Sequence, residues 1–185
     1  MRITLTVIFL SIFFSILYGQ NNSSILKWKY DDVLQWEDFQ GCNNINDTIL
    51  ISSLFKPDAV SFIGISRKYF RTNASLDVII ETYFNKHLSF YRDTTQFGLL
   101  GHEQCHFNIA ELYARKMRKA VKQLQSRNIN NKEQFDYVID SLEVMMNSRQ
   151  EEFDNATLFG SLIEEQNKWR LKIDDELREL EEYQY

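Results

Sequence analysis

The sequence predicts an α+β fold: a small antiparallel sheet from residues 25–92 packs on a helix carrying His-Glu-x-x-His, and two further long helices complete the core. Three observations carry this. Residues 99–125 contain no proline and place His102, His106, Ile109, Tyr113, Met117, Ala120 and Leu124 on one stripe with spacings of three and four. Residues 76–84 alternate, with Leu76, Val78, Ile80 and Thr82 on one strand face. Beyond residue 131, two more stretches of helical periodicity follow with short breaks.

The chain opens on a segment that reads as targeting rather than fold. Arg2 precedes an uncharged, almost wholly apolar run from Ile3 to Tyr18, short for a membrane span, for which about 20 residues are needed. Gly19 suits a cleavage site and Leu17 suits it poorly. The first reading is a cleaved signal peptide over residues 1–19, which implies a secreted or periplasmic protein with no stable membrane span after cleavage. The second reading is an uncleaved anchor. No Cys follows the run, which argues against a lipoprotein. Loss of Arg2 takes the net charge from −5 to −6. That charge and the lack of any basic run argue against a nucleic-acid partner. The total of 185 residues, 44% hydrophobic and 25% charged, suits one globular domain over residues 20–185.

In chain order, Gln20–Ser24 is a polar linker and Ile25–Tyr30 a short strand. Leu34–Phe39 leads into the turn-rich stretch 40–44. Residues 49–55 and 59–69 read as strands on either side of the turn signal Lys56-Pro57-Asp58. Residues 76–84 give the strongest strand, and residues 85–92 connect it to the motif helix, with Asp93, Thr94 or Thr95 as capping candidates. A second helix is expected from about Lys132 to Thr157, closed by Gly160. A third, from about Leu162 to Tyr183, carries Leu162, Trp169, Ile173, Leu177 and Leu180 on one face and a solvated acidic face opposite. Cys42 and Cys105 are the only cysteines; either they pair, or Cys105 is simply a small buried residue. Sequons such as Asn73-Ala74-Ser75 matter only in a glycosylating host.

His102 and His106, four residues apart on a helix, share a face and can bind one metal ion. Glu103 lies about 100° around the turn, where a carboxylate can act on a metal-activated water without being a ligand. Imidazole ligands with an open position suit Zn2+. The alternative is two buried histidines hydrogen-bonded in a core.

A third ligand is needed. His87 lies in the connector and reads as a surface residue. Glu111 sits about 180° from His102 and faces away. The second helix offers Asp154. Ile139, Leu142, Met146, Gln150, Asp154 and Thr157 form one stripe, apolar at its start and polar at its end. A buried polar end needs partners. Antiparallel packing would bring Asp154 beside the histidines. The competing reading is a solvated, frayed helix end, with Glu143, Glu151 and Glu152 as the next ligand candidates.

Three stretches resemble a bacterial family of unknown function whose members are described as predicted secreted zinc-dependent proteases. They are Trp36-Glu37-Asp38-Phe39, residues 100–115 (Leu-x-His-Glu-Gln-x-His-Phe-Asn-Ile-Ala-Glu-Leu-Tyr-Ala-Arg), and Gln150-x-x-Phe153-Asp154-x-x-Thr157 with Gln166-x-x-Trp169. The resemblance implies a zincin-like metallopeptidase fold, zinc on His102 and His106, and general-base chemistry on Glu103. Family members usually carry a histidine two residues after the threonine, where this chain has Phe159. Asp154 must then complete the site, or the site is weakened. The leading function is zinc-dependent hydrolysis of a peptide or protein substrate outside the cytoplasm. The alternatives are an inactive zinc-binding pseudo-peptidase and a structural envelope module.

Overall fold

A computed structural model describes residues 24–41, 58–72, 75–92 and 94–185. The proposed targeting segment, the strand expected at 49–55, Cys42, Asp93 and the Asn73 sequon lie outside the described residues. Among the described residues, no helix is long and apolar enough to cross a membrane.

The architecture is α+β, as the periodicities predict. Strands β1 (Ile25–Lys27), β3 (Ile63–Thr72) and β4 (Ser75–Asn85) form an antiparallel sheet in the order β1-β4-β3. The short pair β2 (Ala59–Val60) and β5 (Phe90–Tyr91) forms a second. Helices α1 (Leu99–Ser126), α2 (Lys132–Thr157) and α3 (Ile163–Glu179) follow. The β3–β4 register runs from Ile63 opposite Phe84 to Thr72 opposite Ser75. It points Leu76, Val78, Ile80, Thr82 and Phe84 at the helices, where all five are buried. The strand expected over residues 59–69 is instead split into β2 and β3.

Helix α1 is the central element, with the sheet packed on one side and α2 and α3 on the other. Met117 and Val121 meet the sheet and the start of α2 around Phe135 and Ile139, while Ile109 and Tyr113 meet Phe153, Ile173 and Leu177. Nearer the N-terminal end of α1, Phe107 packs with Phe84, Phe39 and Leu34. The Trp36–Phe39 stretch belongs to this corner, where the Trp36 ring lies 5.1 Å from that of Tyr91.

Glu111 faces the sheet, away from the histidines. It accepts hydrogen bonds from Thr82 Oγ1 at 2.8 Å, Arg115 Nε at 3.1 Å and Arg118 Nη1 at 3.0 Å. Arg115 also donates to the Leu177 carbonyl and Arg118 to the Tyr183 carbonyl, so the cluster ties the C-terminal segment to α1. With Glu111 and Arg115 almost fully buried, loss of one partner would strand a charge, at a cost of about 3–5 kcal/mol.

Two helix ends differ from the expectation. The N-cap of α1 is Gly98, at φ +87° and without a side-chain cap, rather than Thr94 or Thr95. The left-handed backbone disfavours a side chain there, and a Cβ would also have to push aside Ile163 Cδ1, 2.3 Å away. Helix α2 begins conventionally, with Asn131 accepting from the Gln134 N–H, but its C-cap is Leu158 rather than Gly160. Leu158, Phe159 and Gly160 all take positive φ. Left-handed backbone costs a non-glycine residue about 1–2 kcal/mol. The Gly160 N–H bond to Thr157 Oγ1 and the Phe159 N–H bond to the Asp154 carbonyl hold this turn. Helix α3 ends at Glu179, and a 3-10 turn over Glu181–Tyr183 replaces its expected last turn.

Candidate metal centre

The antiparallel course of α1 and α2 brings the polar end of the α2 stripe against the first turns of α1. His102 Nε2 lies 3.1 Å from His106 Nε2, and Asp154 Oδ1 lies 3.1 Å from the first and 2.9 Å from the second. All three residues are buried. Among the described residues they form the one group of three His, Cys, Asp or Glu side chains placed to hold a metal ion.

The spacing can be tested against the ion. Nitrogen and oxygen donors at about 2.0–2.1 Å from a tetrahedral zinc stand about 3.3 Å apart, close to the triangle observed. One carboxylate oxygen can accept from both rings, so the metal-free cluster is held by hydrogen bonds, and the same three atoms stand at the separation a shared cation needs.

The lone-pair direction also fits. His106 Nδ1 lies 2.6 Å from Gln150 Oε1, and the Gln150 amide is oriented by its Nε2 donating to the His106 carbonyl at 3.0 Å. An amide oxygen only accepts, so Nδ1 carries a proton, and once the ring gives up its Nε2 proton that lone pair faces the centre. Phe153 supports the other ring, stacking on His102 at 4.6 Å with 20° between planes. Trp169 backs Phe153 in turn. The stretch Gln150-x-x-Phe153-Asp154-x-x-Thr157 therefore supplies an orienting amide, a stacking ring, a carboxylate and a turn-holding hydroxyl.

The other candidates stand apart. Glu103 is buried outside the ligand triangle, with its charge close enough to favour the charged form of His106. His87 is exposed in the turn after β4, and Glu151 and Glu152 are exposed on α2. Glu143 is half-buried, and its charge acts on Tyr83. Cys105 is a free, buried thiol pushed up to about 12 by burial, which makes it an inert packing group. Gln150 was visible in the sequence as a polar residue on a buried stripe, but its role emerges only from the pairing of α1 with α2.

Burial opposes a charge on His106, yet the hydrogen bond and charge of Asp154, with Glu103 behind them, raise its pKa to about 9. Asp154 shifts the opposite way: the His102 and His106 bonds outweigh burial and hold its carboxyl well below the ordinary 3.8. The raised His106 pKa stabilises the metal-free fold fully below pH 6.5, and this contribution is lost as pH rises through about 9. The depressed Asp154 pKa stabilises above 3.8, and this is lost as pH falls further. Metal uptake must displace the His106 proton. Zinc affinity measured by chelator competition is therefore expected to rise about tenfold per pH unit from pH 6.5 towards 9. A flat profile over that range would contradict the arrangement.

Fold and site together define an α+β protein with a buried His-His-Asp group able to hold a metal ion. Residues 86–160 match a family described as a bacterial protein of unknown function (DUF922), a stretch that contains all three residues of that group. No curated protein and no solved structure matches the chain.

Proposed function

We propose that this chain is an exported zinc-dependent peptidase, with His102, His106 and Asp154 holding the ion and Glu103 acting as general base. The observation that carries the reading is the convergence of two Nε2 atoms and one carboxylate oxygen within 3.1 Å of one another, next to a buried carboxylate outside the triangle. When bound, zinc supplies Lewis acidity to a water and to the scissile carbonyl. Glu103 takes the proton of the attacking water and returns it to the leaving amine. Gln150 keeps the His106 ring in the tautomer that leaves Nε2 free. Phe97, Leu158 and Leu162 expose apolar surface on the segments bracketing His102, which suits an extended peptide. Export rests on the apolar run from Ile3 to Tyr18.

The test is cleavage of an unfolded protein substrate by the purified chain carrying one equivalent of zinc. Activity should disappear with a chelator and return with zinc. Zinc bound at one per chain without any cleavage would favour a second reading, an inactive zinc-binding module. Phe159, standing where the resembled family carries histidine, supports that second reading.

A further inference from the structure

The two histidines of the centre are not equally supported. His106 has its outer nitrogen bonded to Gln150. His102 Nδ1 is buried and has no hydrogen-bond partner among the described residues. A histidine that gives Nε2 to a metal carries its proton on Nδ1 and needs an acceptor there, because that bond fixes the tautomer and strengthens the ligand.

An acceptor in the same state stands nearby. Gln166, on the first turn of α3, is only 6% exposed, and its Oε1 is also buried without a partner among the described residues. Its Nε2 donates to the Gly98 carbonyl at 2.9 Å, which fixes the amide and leaves Oε1 as the unused end. The same Nε2 lies 3.3 Å from where a Cβ on Gly101 would stand, so the amide rests on the residue immediately before His102. Gly160 closes over the His102 ring, with its own hypothetical Cβ 3.4 Å from Nδ1. His102 Nδ1 and Gln166 Oε1, both near the start of α1, thus lack a partner among the described residues, which is unfavourable for each.

We infer that Gln166 is a positioning residue for the metal centre, its Oε1 accepting the His102 Nδ1 proton across one water, the role that Gln150 fills directly for His106. This rests on the zinc reading of the site. Gln150 and Gln166 then form a matched pair of amides, one on each helix that packs against the start of α1.

The test separates this role from the bond to Gly98. Gln166→Met removes both ends of the amide and keeps the length of the side chain. Gln166→Glu removes the donor to Gly98 and keeps an acceptor for His102. Both variants should lose some thermal stability. Zinc affinity, measured by chelator competition, should fall about tenfold or more in the Met variant and stay within a few-fold of the parent in the Glu variant. In the zinc-loaded parent, nitrogen-15 NMR should find a slowly exchanging Nδ1 proton on His102 that persists in the Glu variant and exchanges rapidly in the Met variant. Equal affinities for parent and Met variant, or equal losses in both variants, would overturn the inference and leave the zinc reading standing. If the Met variant does not fold, a folded Glu variant with zinc affinity more than tenfold below the parent overturns it as well. A parent chain that binds no zinc removes the proposed function and this inference together.

Discussion

Asp154→Ala is expected to lower zinc affinity by more than about 100-fold and to take hydrolytic activity down with it. Loss of an outer partner of a metal ligand typically costs about 10–100-fold, and loss of a ligand costs more. The position makes the effect specific. Asp154 Oδ1 is the atom that touches both ring nitrogens, and none of Glu143, Glu151 or Glu152 joins them within ligand distance. The metal-free variant should also be less stable at neutral pH, because the carboxylate that holds the His106 proton is gone. Breaking a buried pair of this kind costs about 3–5 kcal/mol. Asp154→Asn keeps the shape and a neutral oxygen, and should fall between the parent and the alanine variant in zinc affinity. Elemental analysis and chelator competition on the purified variants decide the matter. Full zinc content with full activity in Asp154→Ala would remove Asp154 from the ligand set.

That assignment shows how far periodicity reaches. The α1 stripe and the β4 alternation are local patterns; the β4 face is buried as read, and the α1 stripe is buried from His102 to Met117, with Ala120 and Leu124 half-buried. Asp154 was legible because an apolar stripe ended in polar residues, and buried polar groups need partners. The antiparallel packing of α2 on α1 supplied those partners. What stayed hidden depends on residues far apart in the chain. Glu111 could be read as facing away from the histidines, but not as the anchor of Thr82, Arg115 and Arg118. Gly98 caps α1 with a left-handed backbone and Ile163 packed against it, and no pattern around residue 98 encodes a neighbour on α3. Leu158 takes the left-handed cap, and Gly160, two residues on, lies against the His102 ring, where a Cβ would stand 3.1 Å from Cγ, a contact no local pattern encodes. Gln166 belongs with these. In one dimension it stands out only through the Gln166-x-x-Trp169 resemblance, with no role attached, and only the fold sets it beside the residue preceding His102.

Glu103→Gln should separate chemistry from binding. The amide keeps the shape of the side chain and removes its basicity, so hydrolysis should fall by two or more powers of ten, the scale of lost general-base catalysis. Zinc binding should behave differently. Glu103 stands outside the ligand triangle, so the ion keeps all three donors. Its charge is also one of the influences that raise the His106 pKa, behind burial, which acts the other way, and Asp154. With glutamine at position 103 the His106 proton is held less tightly, so at pH 7 zinc competes with it more easily. Loss of that charge also weakens the pull on the doubly charged ion, so affinity should stay within a few-fold of the parent while turnover collapses. A helix that had merely lost packing at its N-terminal end would lose both together, as would a site in which Glu103 is a ligand. Chelator competition and the cleavage assay, run on the same preparation, distinguish these outcomes. A Glu103→Gln chain as active as the parent would show that the water is activated by some other group, and the role assigned to the second residue of the motif would fall with it.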